Sequence, residues 1–140
     1  QPELKFNVCN THLDHSGQLA RMNGAMMIVD HVRSRYQRDQ LPFLLTGDFN
    51  SEPDSPVISC LRTQQGLLTD CYSVLDDYAG GTFHQFRGGT DCPRIDYIFV
   101  SPAISAKRME VITGAVNGKF PSDHYPVLAE IELGFDERVL

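Results

Sequence analysis

No stretch of this 140-residue sequence approaches the roughly 18 consecutive apolar residues that a membrane-crossing helix needs. That absence argues against a transmembrane helix. The first residues, Gln1-Pro2-Glu3-Leu4, lack both an initiator Met and the basic and apolar regions of a signal peptide. The chain is therefore read as a fragment or processed product that runs almost directly into a strand, and its compartment, cytoplasmic or secreted, stays open. The four cysteines, Cys9, Cys60, Cys71 and Cys92, form no C-x-x-C pair, which removes the usual zinc and redox motifs. They read as buried or partly buried thiols, with a disulfide left open. Basic residues are few: 12 Lys and Arg against 18 Asp and Glu give a formal charge of −6. The basic face of proteins that neutralise many phosphates is missing. The one concentration, Arg33 to Arg38, reads as a solvated helix end. An acidic site for a hard divalent cation would account for part of the excess. There is no internal repeat and no low-complexity linker. What is present is a 41% hydrophobic content, enough for one packed domain.

Along the chain, Leu4, Phe6 and Val8 alternate with Lys5, Asn7 and Cys9, the period of a strand ending at Asn10-Thr11-His12. After a loop from Asp14 to Gly17, the positions Leu19, Met22, Met26, Val29, Val32 and Tyr36 make one apolar helix face, with Ser16 as its N-cap. Pro42 to Thr46 reads as a buried strand, with Gly47-Asp48-Phe49-Asn50 at its end. Ser55-Pro56 opens a short helix with Val57, Ile58 and Leu61 inside, which Gly66 stops. Further strands are expected at Thr82–Phe86, Ile95–Val100, Met109–Thr113 and Val127–Leu133. Residues 1–135 are taken as one domain and 136–140 as a loose tail. Helices alternating with strands early, and strands crowding later, indicate an α/β sandwich of mixed sheets with helices outside.

Four polar clusters fall at expected strand ends: Asn10-Thr11-His12, Asp48-Phe49-Asn50, Arg94-Ile95-Asp96 and Ser122-Asp123-His124. Ligands in open α/β folds gather where strands end. A lone Asp there is usually a turn residue. The whole set argues for one shared site.

These clusters sit in Asn10-Thr11-His12-Leu13-Asp14, Gly47-Asp48-Phe49-Asn50-Ser51, Arg94-Ile95-Asp96-Tyr97-Ile98-Phe99-Val100-Ser101 and Ser122-Asp123-His124-Tyr125-Pro126-Val127. The segments resemble, in order, the later signature blocks of the endonuclease/exonuclease/phosphatase superfamily. The resemblance implies an α/β (α+β) fold, the C-terminal half of a four-layer α/β/β/α sandwich with mixed, largely antiparallel sheets. It implies a phosphoesterase working by activated water, with Mg²⁺ or Mn²⁺ as Lewis acid. His124 would lie beside the scissile phosphate, with Asp96 orienting it. A carboxylate beside an imidazole holds it in one tautomer. Asp48 would orient or deprotonate the water. Asn50 would donate to a phosphoryl oxygen. His12 would make a second phosphate contact. Asp123 would ligate the metal, and Asp48 and Asn50 could also touch a second metal. Asn10, Arg94 and Thr82 are the expected substrate-side residues; Asp14 and His15 are assigned to the loop, and His84 shares the Thr-Phe-His stretch with Thr82.

The family's domain is usually about twice this long, and the blocks that supply a metal-ligating Asn and Glu are not recognisable here. The resemblance thus implies a partner: the missing N-terminal half, a second chain, or a homodimer. One sheet face, including some of Leu4, Phe6, Phe43, Leu45, Ile98 and Val100, is expected to lack its cover. The acidic balance favours a small phosphodiester or phosphomonoester, or a lipid or sugar phosphate, over duplex DNA. The competing reading is a non-catalytic interaction module that keeps the fold.

Overall fold

The computed structural model describes residues 4–64, 66–74 and 80–134. The expected loose tail lies outside them. The elements run β1 (Asn7–His12), α1 (Gln18–Asp39), β2 (Phe43–Asp48), α2 (Pro56–Arg62), β3 (Thr69–Asp70), a 3-10 turn (Cys71–Val74), β4 (Asp96–Val100), β5 (Ile104–Val111) and β6 (Val127–Leu133). One sheet has the order β1-β2-β4-β3, and β5 pairs with β6 in a second. β1 and β2 are parallel, which requires a crossover between them. The 22 residues of α1 supply it. The other pairings are antiparallel. The expected mixed α+β architecture is therefore observed.

The core forms on both faces of the larger sheet. On one, Ala25, Ile28, Val29 and Val32 of α1 and Val57, Ile58 and Leu61 of α2 pack with Phe43, Leu45, Tyr97 and Phe99. Burying each such side chain contributes roughly 1.5–3 kcal/mol. On the other face, Val100, Ile104 and Met109 join Leu44, Ile98, Val127, Ala129, Ile131 and Leu133, so the β5–β6 hairpin covers the sheet there.

The sheet-face expectation is corrected accordingly. Phe43 and Leu45 are 2% and 0% exposed because their pleat faces the helices. Val100 is buried and Ile98 half-buried under the hairpin. Uncovered apolar side chains remain at the β1 edge, where Leu4, Phe6 and Val8 are exposed.

Other expectations shift for local reasons. The N-cap of α1 is Gly17 rather than Ser16 and has no side chain to cap with; Asp14 Oδ1 accepts the backbone N–H of Ser16 and of Gly17 in the turn before it. Leu19 and Met26 are exposed, and the inward stripe runs through Ala25, Ile28, Val29 and Val32. Ser55 caps α2 as expected, its hydroxyl accepting from Ile58 N–H at 3.3 Å. That helix ends at Arg62 with Thr63 as C-cap, ahead of Gly66. Of the expected strand Met109–Thr113, Met109 to Val111 fall in a strand that starts earlier, Ile104–Val111, and Ile112 and Thr113 lie past its end. Thr82–Phe86 is not a strand. Thr82 and Phe83 both donate to the Pro93 carbonyl, and His84 and Gln85 both donate to that of Asp123. Gln85 and Phe86 then turn into the left-handed region, at φ 53° and 58°, which no extended strand permits.

Candidate active site

Strand register assembles the centre of the site. His12 lies opposite Asp48 across the parallel pair, and Asp48 opposite Asp96 across the antiparallel pair. Directly opposed residues share a sheet face. The final residues of β1 and β2 and the first of β4 therefore form one row. The row depends on Gly47, paired with Thr11 at φ +148°. A Cβ there would stand 2.0 Å from the Thr11 carbonyl oxygen.

His124 closes the row from the loop before β6. Its Nδ1 is 2.8 Å from Asp96 Oδ2, and its Nε2 is 3.8 Å from Asp48 Oδ2. His12 Nε2 lies 3.4 Å from the same Asp48 oxygen. The other Asp48 oxygen accepts the Asn50 N–H at 2.8 Å. Asn50 itself is left-handed, at φ 46°, a conformation Asn tolerates, and its amide donates to the Leu13 carbonyl at 2.8 Å. Burial pushes the Asp48 carboxyl above its ordinary range, and the nearby Asp96 charge adds to that; the Asn50 N–H and both histidines oppose it.

His12, Asp48, Asn50, Asp96, Asp123 and His124 line one open cavity of about 540 Å³. His15 and Phe83 line it as well. The sequence reading left His15 in the loop and did not single out Phe83. Their only sequence signal is adjacency to His12 and Thr82. The Phe83 ring packs against His124 with centroids 4.8 Å apart. Asn10 sits two residues back from His12 on the same strand, accepting from the Thr46 hydroxyl at 2.9 Å, and lines a groove continuous with the site through His12 and Asp48.

Two residues expected on the substrate side are elsewhere. Thr82 is 0% exposed, and its hydroxyl accepts the N–H groups of Ile95 and Asp96 at 3.1 and 3.2 Å. It fixes the start of β4, and with it Asp96. Arg94 is 6% exposed; its guanidinium lies 3.8 Å from the Tyr72 ring centroid and 3.9 Å from Asp70, which Arg62 also binds. Arg94 lines neither the cavity nor its groove.

Asp48, Asp96 and His124 each offer a donor atom within 4.8 Å of the others. Asp123 presents a further carboxylate to the same cavity. These side chains are of the types that can hold a metal ion.

Residues 2–124 match the model of the Endonuclease/Exonuclease/phosphatase family. The chain belongs to that family. The mannosyl-6-phosphatase of Bacteroides thetaiotaomicron superposes with a TM-score of 0.79 at 32% identity, covering 90% of this chain and 51% of that one. The human Nocturnin catalytic domain with bound sulfate anion gives a TM-score of 0.71 at 21% identity, over 90% and 46%. TDP2 of D. rerio, complexed with a single-strand DNA product, gives 0.67 at 15%, over 89% and 55%. The last two show the fold alone. The chain spans about half the length of these structures. Among curated proteins, none matches it.

Proposed function

We propose that this chain carries most of the water-activating and phosphate-binding apparatus of a metal-dependent phosphoesterase. The observation that carries the reading is the His12–Asp48–Asp96 row with His124 locked onto Asp96 at 2.8 Å. With Nδ1–H donated to Asp96, His124 turns Nε2 toward the cavity. Protonated, it donates to a phosphoryl oxygen; the carboxylate holds the ring for that task. Asp48 takes the proton of the attacking water, its Oδ1 steadied by Asn50 N–H so that Oδ2 is left for the water. His12 makes the second phosphate contact, and the free amide hydrogen of Asn50 can meet the charge that grows on the phosphoryl group.

Asp123, Asp48 and Asn50 would hold Mg²⁺ or Mn²⁺, which would supply Lewis-acid stabilisation of the phosphoryl oxygens. Mg²⁺ demands near-octahedral oxygen coordination. Three side chains are a sparse set, so further ligands are proposed to come from outside these 140 residues or from a second chain. The substrate is a small phosphate ester. The mannosyl-6-phosphatase likeness and the net charge of −6 both favour that over duplex DNA.

The test is phosphate release from a panel of phosphomonoesters and phosphodiesters with Mg²⁺, Mn²⁺ or chelator. Activity is expected only with metal, and His124→Ala is expected to lower it on the order of 10²–10⁴-fold. Hydrolysis indifferent to chelator and to His124→Ala would sink the reading. Robust hydrolysis by the chain alone would remove the need for the extra ligands. A span about half that of the matched structures also fits a non-catalytic interaction module, which a metal titration separates because such a module ignores Mg²⁺ and Mn²⁺.

A further inference from the structure

His124 sits on the long segment between β5 and β6, residues 112–126. Connections of that length are uncommon in compact domains, and side chains on loops are held less firmly than those on strands. The 2.8 Å contact between His124 Nδ1 and Asp96 therefore needs a support outside β4 and β6.

Residues 82–85 supply it. The Thr82 hydroxyl accepts the N–H groups of Ile95 and Asp96, and the Thr82 carbonyl accepts that of Tyr125 at 2.8 Å. The N–H groups of His84 and Gln85 both meet the Asp123 carbonyl, at 2.9 and 3.1 Å. Phe83 forms an antiparallel bridge with His124, and its ring packs on the imidazole. One short segment thus holds Asp96 on one side and the backbone before and after His124 on the other.

This segment is anchored by His84, which is buried and does not line the site cavity. Its ring stacks on Tyr125, with centroids 3.9 Å apart and planes at 19°, and lies 4.6 Å from the Phe120 ring. Its Nδ1 accepts the Gly88 N–H at 3.3 Å, and its carbonyl accepts the Arg87 N–H at 2.9 Å. Those two bonds close the turn through Gln85 and Phe86, whose left-handed backbones persist only where their surroundings over-determine them. Nε2 is buried without a hydrogen-bond partner, so the ring is held by its faces and by Nδ1. The stack is the firmer hold, because 3.3 Å is long for a hydrogen bond, whereas two stacked aromatic rings gain beyond the area they bury.

We propose that His84 is a positioning residue: stacked on Tyr125, it fixes the backbone at His124 and so keeps the imidazole on Asp96. Its consequence for catalysis rests on the phosphoesterase reading above; its geometry does not. Imidazole suits the position because it offers a flat face and an acceptor at once.

The experiment reads the His124 ring by two-bond proton–nitrogen correlation in isotope-labelled protein, in mildly alkaline buffer where an ordinary imidazole is neutral. The parent is expected to carry its proton on Nδ1. His84→Leu fills the space but offers neither flat face nor acceptor. It is expected to spread the proton over both ring nitrogens, and to lower kcat for phosphate release roughly 10–100-fold with KM within about twofold. His84→Phe restores the face and is expected to restore the proton to Nδ1. Val32→Ala, a loss to the core under α1, is expected to leave the ring signals as in the parent, which separates positioning from a general loss of stability. Should His84→Leu fail to fold, Tyr125→Leu removes the other half of the stack and is expected to spread the proton in the same way. A proton that stays on Nδ1 after either substitution to Leu overturns the proposal. So does a parent with the proton already spread, or His84→Phe behaving as His84→Leu. A parent that hydrolyses no phosphate ester overturns the phosphoesterase reading instead, because the ring signals are read without turnover.

Discussion

Asp48 is the residue on which function and stability oppose each other. Its carboxyl titrates above the ordinary 3.8 because burial, and secondarily the Asp96 charge, disfavour ionisation. In the proposed mechanism, water activation needs the ionised form. Without metal, the Asp48 carboxyl is expected to protonate at a higher pH than an unperturbed aspartate, and a carbon-13 NMR titration of that carboxyl checks it. The stability consequence has the opposite sense. A folded state that binds this proton more tightly than the unfolded chain gains stability at low pH and loses that contribution as pH rises through the raised value. Asp48→Asn is accordingly expected to abolish hydrolysis yet unfold at no lower urea concentration than the parent at pH 7. A lower midpoint would show that its carboxylate is net stabilising. Arg94 behaves in the contrary way. Buried on Tyr72 and paired with Asp70, it supports the fold, so Arg94→Ala should cost up to ~3 kcal/mol of stability without raising KM.

At the scale of elements, the close approach of β1 and β2 decides whether a site exists. Gly47→Ala would drive a Cβ to 2.0 Å from the Thr11 carbonyl oxygen and separate His12 from Asp48. A loss of several kcal/mol, roughly 3 or more, is expected from such backbone strain and displacement, read from denaturant midpoints. The α2 cap makes a milder contrast. Ser55→Ala removes one acceptor from the Ile58 N–H and should cost about 1 kcal/mol, with the row at Asp48 unchanged. Both elements were legible from local signals: Ser-Pro before an apolar face, and Gly-Asp after a buried run. The segment Thr82–Phe86 was not. Its alternation resembles a strand, but its donors converge on single carbonyls of Pro93 and Asp123, partners far along the chain.

For the whole molecule, the relevant feature is the exposed apolar edge at Leu4, Phe6 and Val8, with Leu128 also exposed on β6. β1 is an edge strand of its sheet. Edge strands with uncovered apolar side chains pair with other chains. Sedimentation velocity is expected to show self-association of the chain alone, reduced by Phe6→Ser or Val8→Thr. A monodisperse monomer would count against it. Among the described residues, no helix is long and apolar enough to cross a membrane, in keeping with the missing apolar run.

The sequence by itself determined the family, the order of most elements and the motifs whose side chains meet in the cavity. Those properties are local: Asn-Thr-His, Gly-Asp-Phe-Asn, Arg-Ile-Asp and Ser-Asp-His each follow or precede a recognisable strand. Tertiary structure alone decided which neighbours of those motifs reach the cavity. Thr82 and Arg94 turn inward because their partners, Asp96 and Asp70 with Tyr72, lie across the fold. Phe83 and His15 reach the cavity because the loops that carry them converge on the ends of β1 and β2. The same distinction governs the sheet faces. Period-two alternation marks two faces of a strand, but only packing against α1 and α2 chose the one with Phe43 and Leu45, leaving Asp48 on the other beside His124.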